Sequence, residues 1–100
     1  MSEHKAIGLR LRAWRLALGK KPVTLVRESH RHHETDGLGR FDANFWSQWE
    51  SGRRRISVNH AIALRRRYPG LTLDYIYVGD MRDMGKELRE AIRDQRRRMK

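Results

Sequence analysis

The chain has 100 residues, a single-domain length, and its 38% apolar content and three tryptophans suffice for one modest core. It contains no cysteine, which excludes disulfides, thiolate metal sites and cysteine nucleophiles, and 23 Lys and Arg against 12 Asp and Glu leave a formal charge of +11. A surplus of that size attracts polyanions, nucleic acid being the commonest, and the preponderance of Arg over Lys favours planar, bidentate contacts to phosphate and guanine.

The apolar runs are far too short for a membrane span, and Met1, Ser2, Glu3, His4 and Lys5 lack the apolar region of a signal peptide. A cytoplasmic protein without membrane contact is expected. Ile7, Leu11, Trp14 and Leu18 share one helical stripe with Arg10, Arg12 and Arg15 interleaved, so a first helix is predicted over 3–18, ending at Gly19. Lys20, Lys21 and Pro22 break that pattern. Pro22 suits the first turn of a second helix reaching about His30 or Arg31, with Val23, Leu25 and Val26 as its apolar face. Lys20, Lys21 and Thr24 then stand at the positive end of that helix, a seat for a phosphate.

Residues 32–40 have no period and two glycines, and read as a loop. His30, His32, His33, Glu34 and Asp36 are metal-ligand types, but they lack any spaced ligand motif, and a hydrophilic loop is the simpler account. No metal and no cofactor are expected. Asp42 then serves as an N-cap and Gly52 as the left-handed residue past the end of a third helix about two and a half turns long. Phe41 and Trp46 have the spacing of a hydrophobic staple, and Trp46 and Trp49 share one face. The opposite face carries Ala43, Asn44, Ser47 and Gln48, small or amide side chains without charge. Asn and Gln match the major-groove edge of adenine, while Ala or Phe45 meets a thymine methyl. Arg53, Arg54 and Arg55 just beyond Gly52 reach phosphates, as does Arg40 just before the cap. Taken alone, this stretch is read equally well as a recognition helix or as an ordinary amphipathic helix with a polar outer face.

Ser57 caps a fourth helix whose inward face is expected to be Val58, Ala61, Ile62 and Tyr68, with Leu64 at its margin and an end at Pro69 and Gly70. Arg65, Arg66 and Arg67 near its C-terminus favour the dipole and read as solvated. Thr72 caps a short fifth helix in which Leu73, Ile76 and Tyr77 close the core and Tyr75 is partly buried. A last helix is expected over 83–100, with Met84, Leu88, Ala91, Ile92, Gln95 and Met99 forming a narrow stripe and Glu90 to Arg93 and Asp94 to Arg98 at ion-pair spacing. Such a stripe packs back on the domain or pairs with its copy in a dimer; a membrane surface is disfavoured for want of bulky aromatics.

Three blocks of this chain resemble those of the Cro and phage-repressor type of helix-turn-helix domain. They are the stretch from Ile7 to Arg15, the stretch Phe45, Trp46, Ser47, Gln48, Trp49, Glu50, Ser51, Gly52 and Arg53, and the stretch from Leu73 to Asp80. The resemblance spans roughly residues 5–80 and implies an all-α, five-helix repressor-like helix-turn-helix bundle over 1–82, followed by a basic amphipathic C-terminal helix or tail over 83–100. It implies base contacts from Ala43, Asn44 and Gln48, with Phe45 and Ser47 beside them, and a structural pair between Glu50 and Arg15. The segment from Leu25 to Phe41 is longer than the family's tight turn, so the second helix is either extended or followed by an inserted loop. Gly39 lies one residue nearer the cap than the family's turn glycine, and Arg65 stands where the family has a small residue.

The expected function is sequence-specific regulation of transcription, with a homodimer on double-stranded DNA of two-fold symmetry. Phosphate contacts fall to Lys20, Lys21, Thr24, Arg40, Arg53, Arg54 and Arg55. The alternative is an antitoxin-like or other protein-interaction module of the same fold, holding a partner protein through Met84, Leu88, Ala91 and Ile92. No catalytic residue is assigned, because neither Ser29, Ser47 nor Ser51 has a base at a telling spacing.

Overall fold

A computed structural model of the chain describes residues 2–31 and 39–99, and its regular structure is all helical, with no strand among the described residues. Six helices follow one another: α1 (Glu3–Ala17), α2 (Pro22–Arg31), α3 (Ala43–Ser51), α4 (Val58–Arg67), α5 (Leu73–Val78) and α6 (Lys86–Arg98). Side-chain caps set most of the starts. Ser2 Oγ accepts from the Lys5 amide at 3.2 Å, Asp42 Oδ1 from Phe45 at 2.7 Å, Ser57 Oγ from His60 at 3.2 Å and Thr72 Oγ1 from Tyr75 at 3.1 Å. α3 and α5 both end at a left-handed glycine, Gly52 with φ 80° and Gly79 with φ 87°.

α1 is the element on which the others are assembled, in contact with α3, α5 and α6. Its Ile7, Leu11, Ala13 and Trp14 are buried, and the core continues through Leu25, Phe41, Trp46, Trp49, Ile56 and Leu64. Gly8 sets how near α3 can come. A Cβ there would lie 2.5 Å from the carbonyl oxygens of Trp49 and Glu50, so only a hydrogen fits where the two backbones meet.

Several side chains are not where periodicity alone puts them. Leu18 follows the end of α1 and is 37% exposed, at the point where Gly19, with φ 70°, turns the chain away. In α4, Val58 is exposed and Leu64 lies fully in the core. Ile56, just ahead of the helix, is buried, and α4 itself buries Ala61 and Leu64. Tyr75 is buried, whereas Leu73 and Tyr77 are half-buried; its hydroxyl donates to the Arg10 carbonyl at 2.6 Å, which removes the main cost of burying a phenol. Arg65, on α4, is exposed.

The last helix begins at Lys86, later than its stripe suggests, because residues 80–85 form a turn in which Asp80 Oδ1 accepts from the Arg82 amide at 2.9 Å and the Met84 amide bonds to Met81 O at 3.1 Å. α6 lies on α1, with Met84 and Ile92 in the same core as Trp14 and with Leu88, Ala91 and Gln95 half-buried. The radius of gyration, 12.7 Å, matches the roughly 13 Å of a compact domain of this length, which a detached terminal helix would exceed. Met84 and Ile92 are therefore occupied within the chain. A partner protein reaching all four of Met84, Leu88, Ala91 and Ile92 would first have to lift α6 from α1. Asp94 pairs with Arg97 at 3.4 Å and with Arg98 at 3.2 Å. Among the described residues, no helix is long and apolar enough to cross a membrane.

Candidate nucleic-acid interface

The site is built on α3, and two indoles orient it. Trp46 and Trp49, one turn apart, are 1% and 2% exposed, so the opposite side of the helix faces outward. Phe41, just before the Asp42 cap, stacks on Trp46 with ring centroids 5.5 Å apart and tilts against Trp49 at 5.1 Å, which fixes the path of the chain into α3. Two histidines hold that same segment leading into α3. His30 Nε2 lies 3.2 Å from the Phe41 carbonyl and His60 Nε2 lies 2.9 Å from the Arg40 carbonyl, each ring nitrogen donating. His60 Nδ1 is then left to accept from the Ser57 hydroxyl at 2.7 Å. Ser29, fully buried, adds a third tie by accepting from the Phe41 amide at 3.3 Å.

Glu50 locks α3 to α1. Its carboxylate accepts from Arg15 Nε at 2.6 Å and Arg15 Nη2 at 3.2 Å, and also from the indole N–H of Trp46 on the preceding turn. Arg15 spends Nη1 on the Lys20 carbonyl at 2.9 Å, so one guanidinium ties α3 to the turn between α1 and α2. The pair is largely buried, with side chains 11% and 14% exposed.

On the outer face, Ala43, Asn44 and Ser47 are exposed, Phe45 is 37% exposed and Gln48 is half-buried. Phe45 lies between the ring of Trp49, at 6.2 Å, and the guanidinium of Arg54, at 5.3 Å. The basic run curls back on the end of the helix, since the amides of Arg53 and Arg54 donate to the Gln48 carbonyl at 3.0 and 3.2 Å. Arg53, Arg54, Arg40 and Lys21 are exposed beside this face.

The other cations of the sequence reading have closer ties. Lys20 pairs with Glu28 at 2.6 Å and stands 5.3 Å from the Tyr68 ring, while the Tyr68 hydroxyl donates to the second oxygen of Glu28. Burial, reinforced by that carboxylate, pushes the Tyr68 phenol well above its ordinary pKa. Lys20 thus braces the turn between α1 and α2 against α2 and the end of α4, with its ammonium charge already matched. Arg55 leans over the Tyr77 ring at 4.9 Å and comes within 3.8 Å of Glu3, away from Phe45; burial raises the Tyr77 pKa and Arg55 partly offsets the rise. Thr24 is half-buried in the first turn of α2.

A depression of about 280 Å³ separates the start of α2 from α3, lined by Pro22, Ala43, Ser47 and Ser51 with Arg12 at its edge. Arg12 is exposed and was not among the residues singled out from the sequence, although its position four after Gly8 and three before Arg15 puts it on the face of α1 turned to α3. His32, His33, Glu34 and Asp36 lie outside the described residues, and no cluster of metal-ligating side chains forms among those described. No family model, curated protein or solved structure matches this chain.

Proposed function

We propose that this chain is a sequence-specific double-stranded DNA-binding regulator of the helix-turn-helix repressor type, working in the cytoplasm and reading the major groove with α3. The observation that carries the reading is the uncharged, hydrogen-bonding outer face of α3, held outward by the two buried indoles and bordered by exposed arginines. Asn44 and Gln48 are the base-discriminating groups, Ala43, Phe45 and Ser47 supply contact with methyls and base edges, and Arg40, Arg53, Arg54 and Lys21 set register on the phosphates. Arg12 joins them at the groove edge. Lys20 and Thr24 contribute less to DNA than their charge or position suggests, because Lys20 is paired with Glu28 and Thr24 is half-buried, while Arg55 is exposed and reaches phosphates from its place over the Tyr77 ring. A homodimer presenting two copies of α3 to a two-fold symmetric site completes the proposal.

Selection of bound duplexes from a random pool at moderate salt tests specificity and symmetry together. An enriched sequence is expected, with affinity falling steeply as salt rises. Gln48→Ala should cost about 1–3 kcal/mol on the enriched site and little on random DNA. No enrichment, or an equal loss on both DNAs, would remove the sequence-reading role from α3.

A further inference from the structure

A groove of about 690 Å³, within the size range of small-molecule sites, opens between α1, α5 and α6. No residue of α2, α3 or α4 lines it, so it is separate from the face discussed above. Its apolar surface comes from Leu9, Tyr75, Met81, Ile92 and Met99. Arg10, Arg93, Arg96 and Arg97 also line it, and no carboxylate does so among the described residues.

The polar character of the groove is that of a donor. The Tyr75 hydroxyl is turned to the Arg10 carbonyl at 2.6 Å, and Arg10 and Arg96, from two different helices, both lie near enough to that phenol to oppose the rise in pKa that its burial causes. Arg10 gives one N–H to Ile76 O at 3.2 Å, and Arg97 has only a long contact to Asp94 at 3.4 Å. Arg93 and Arg96, one turn apart on α6, are exposed and have no ion pair among the described residues. A second copy of a chain with charge +11 is a poor occupant of such a rim, and DNA phosphates would leave the apolar floor uncovered.

We propose that this groove binds a single-tailed amphiphile with a phosphate head, the tail lying on Leu9, Met81, Ile92 and Met99 and the head on the guanidiniums of Arg93 and Arg96. A carboxylate occupies one guanidinium fork, whereas the three acceptor oxygens of a phosphate engage more than one, which suits a rim of four arginines. The inference stands apart from the reading of α3.

Dodecyl phosphate, kept below the concentration at which it forms micelles, is the probe for calorimetric titration of the full chain. Saturable binding of one molecule per chain is expected, with inorganic phosphate and dodecanol each binding far more weakly. The double variant Arg93→Gln with Arg96→Gln should lose about tenfold or more in affinity with its thermal midpoint unchanged, and Met81→Gln, a neutral polar side chain on the apolar floor, should weaken dodecyl phosphate several-fold while leaving the weak binding of inorganic phosphate as it was, with helical circular dichroism retained in both. Four results would each overturn the proposal: unaltered affinity in the arginine variant, phosphate binding as well without its tail, attachment only to anionic lipid vesicles, or a duplex that displaces the probe and is itself weakened by the arginine changes. The last would make these arginines part of a DNA surface.

Discussion

Replacing Glu50 by alanine strands two inward-facing donors at once. The Arg15 guanidinium, in a residue 9% exposed, would keep only the Lys20 carbonyl as a partner, and the indole N–H of Trp46, in a residue 1% exposed, would lose the carboxylate it donates to. Removing one member of a buried ion pair costs about 3–5 kcal/mol, because the remaining charge is desolvated without compensation. An unsatisfied indole donor adds about 1–3 kcal/mol, but the two losses share one site and water entering the vacated space serves both, so about 3–5 kcal/mol is the expected total. Against the roughly 5–15 kcal/mol that holds a domain of this size, that is a large share. Urea unfolding followed by tryptophan fluorescence gives the measurement directly. Glu50→Gln, which keeps an acceptor oxygen, should lose markedly less, and Arg15→Met added to Glu50→Ala should recover part of the loss, giving a coupling of about 2 kcal/mol in a double-mutant cycle. A loss below about 1 kcal/mol for Glu50→Ala, the magnitude of an exposed surface pair, would refute the view that this contact braces α3 against α1.

Gly8→Ala should destabilise the fold by about 1–3 kcal/mol or more despite the better helix propensity of alanine, because its Cβ would meet two α3 carbonyls at 2.5 Å; an unchanged or raised midpoint would show that α1 and α3 can separate freely. Burial holds the Tyr75 phenol neutral above its ordinary pKa of 10.0, so above pH 10.0 the unfolded chain carries fewer protons than the folded one and stability falls as pH rises, until the folded phenol itself ionises. Tyr75→Phe should cost about 1 kcal/mol at neutral pH through the lost bond to Arg10 O and should make this alkaline decline shallower without abolishing it, since burial raises the Tyr68 and Tyr77 phenols as well; a slope identical to the parent's would disprove the assignment. Asp42→Ala should lower stability by about 1 kcal/mol through the lost cap on α3, and no change in the unfolding midpoint would mean that the cap contributes nothing.

What the sequence determined by itself lies within a few residues along the chain. The caps Asp42, Ser57 and Thr72, the left-handed Gly52 and Gly79, and Pro22 in a first turn mark helix ends through hydrogen bonds and dihedral preferences that need no distant partner. The outward face of α3 was legible for the same reason, since Trp46 and Trp49 one turn apart can bury together only by turning Asn44 to the other side. Local spacing said less about the surroundings of Arg12, Lys20 and Arg55. Arg12 read as an ordinary polar position on α1, and the ties of Lys20 to Glu28 and Tyr68 and of Arg55 to Tyr77 join groups far apart in sequence. Only the tertiary structure decided that Leu64 fills the core while Val58 protrudes, that Tyr75 goes inside against the Arg10 carbonyl, and that α6 lies on α1 and so encloses an arginine-lined groove. Each of these depends on which element fills a given volume first and on whether a buried polar atom finds a partner there, and neither is written in the period of a single helix.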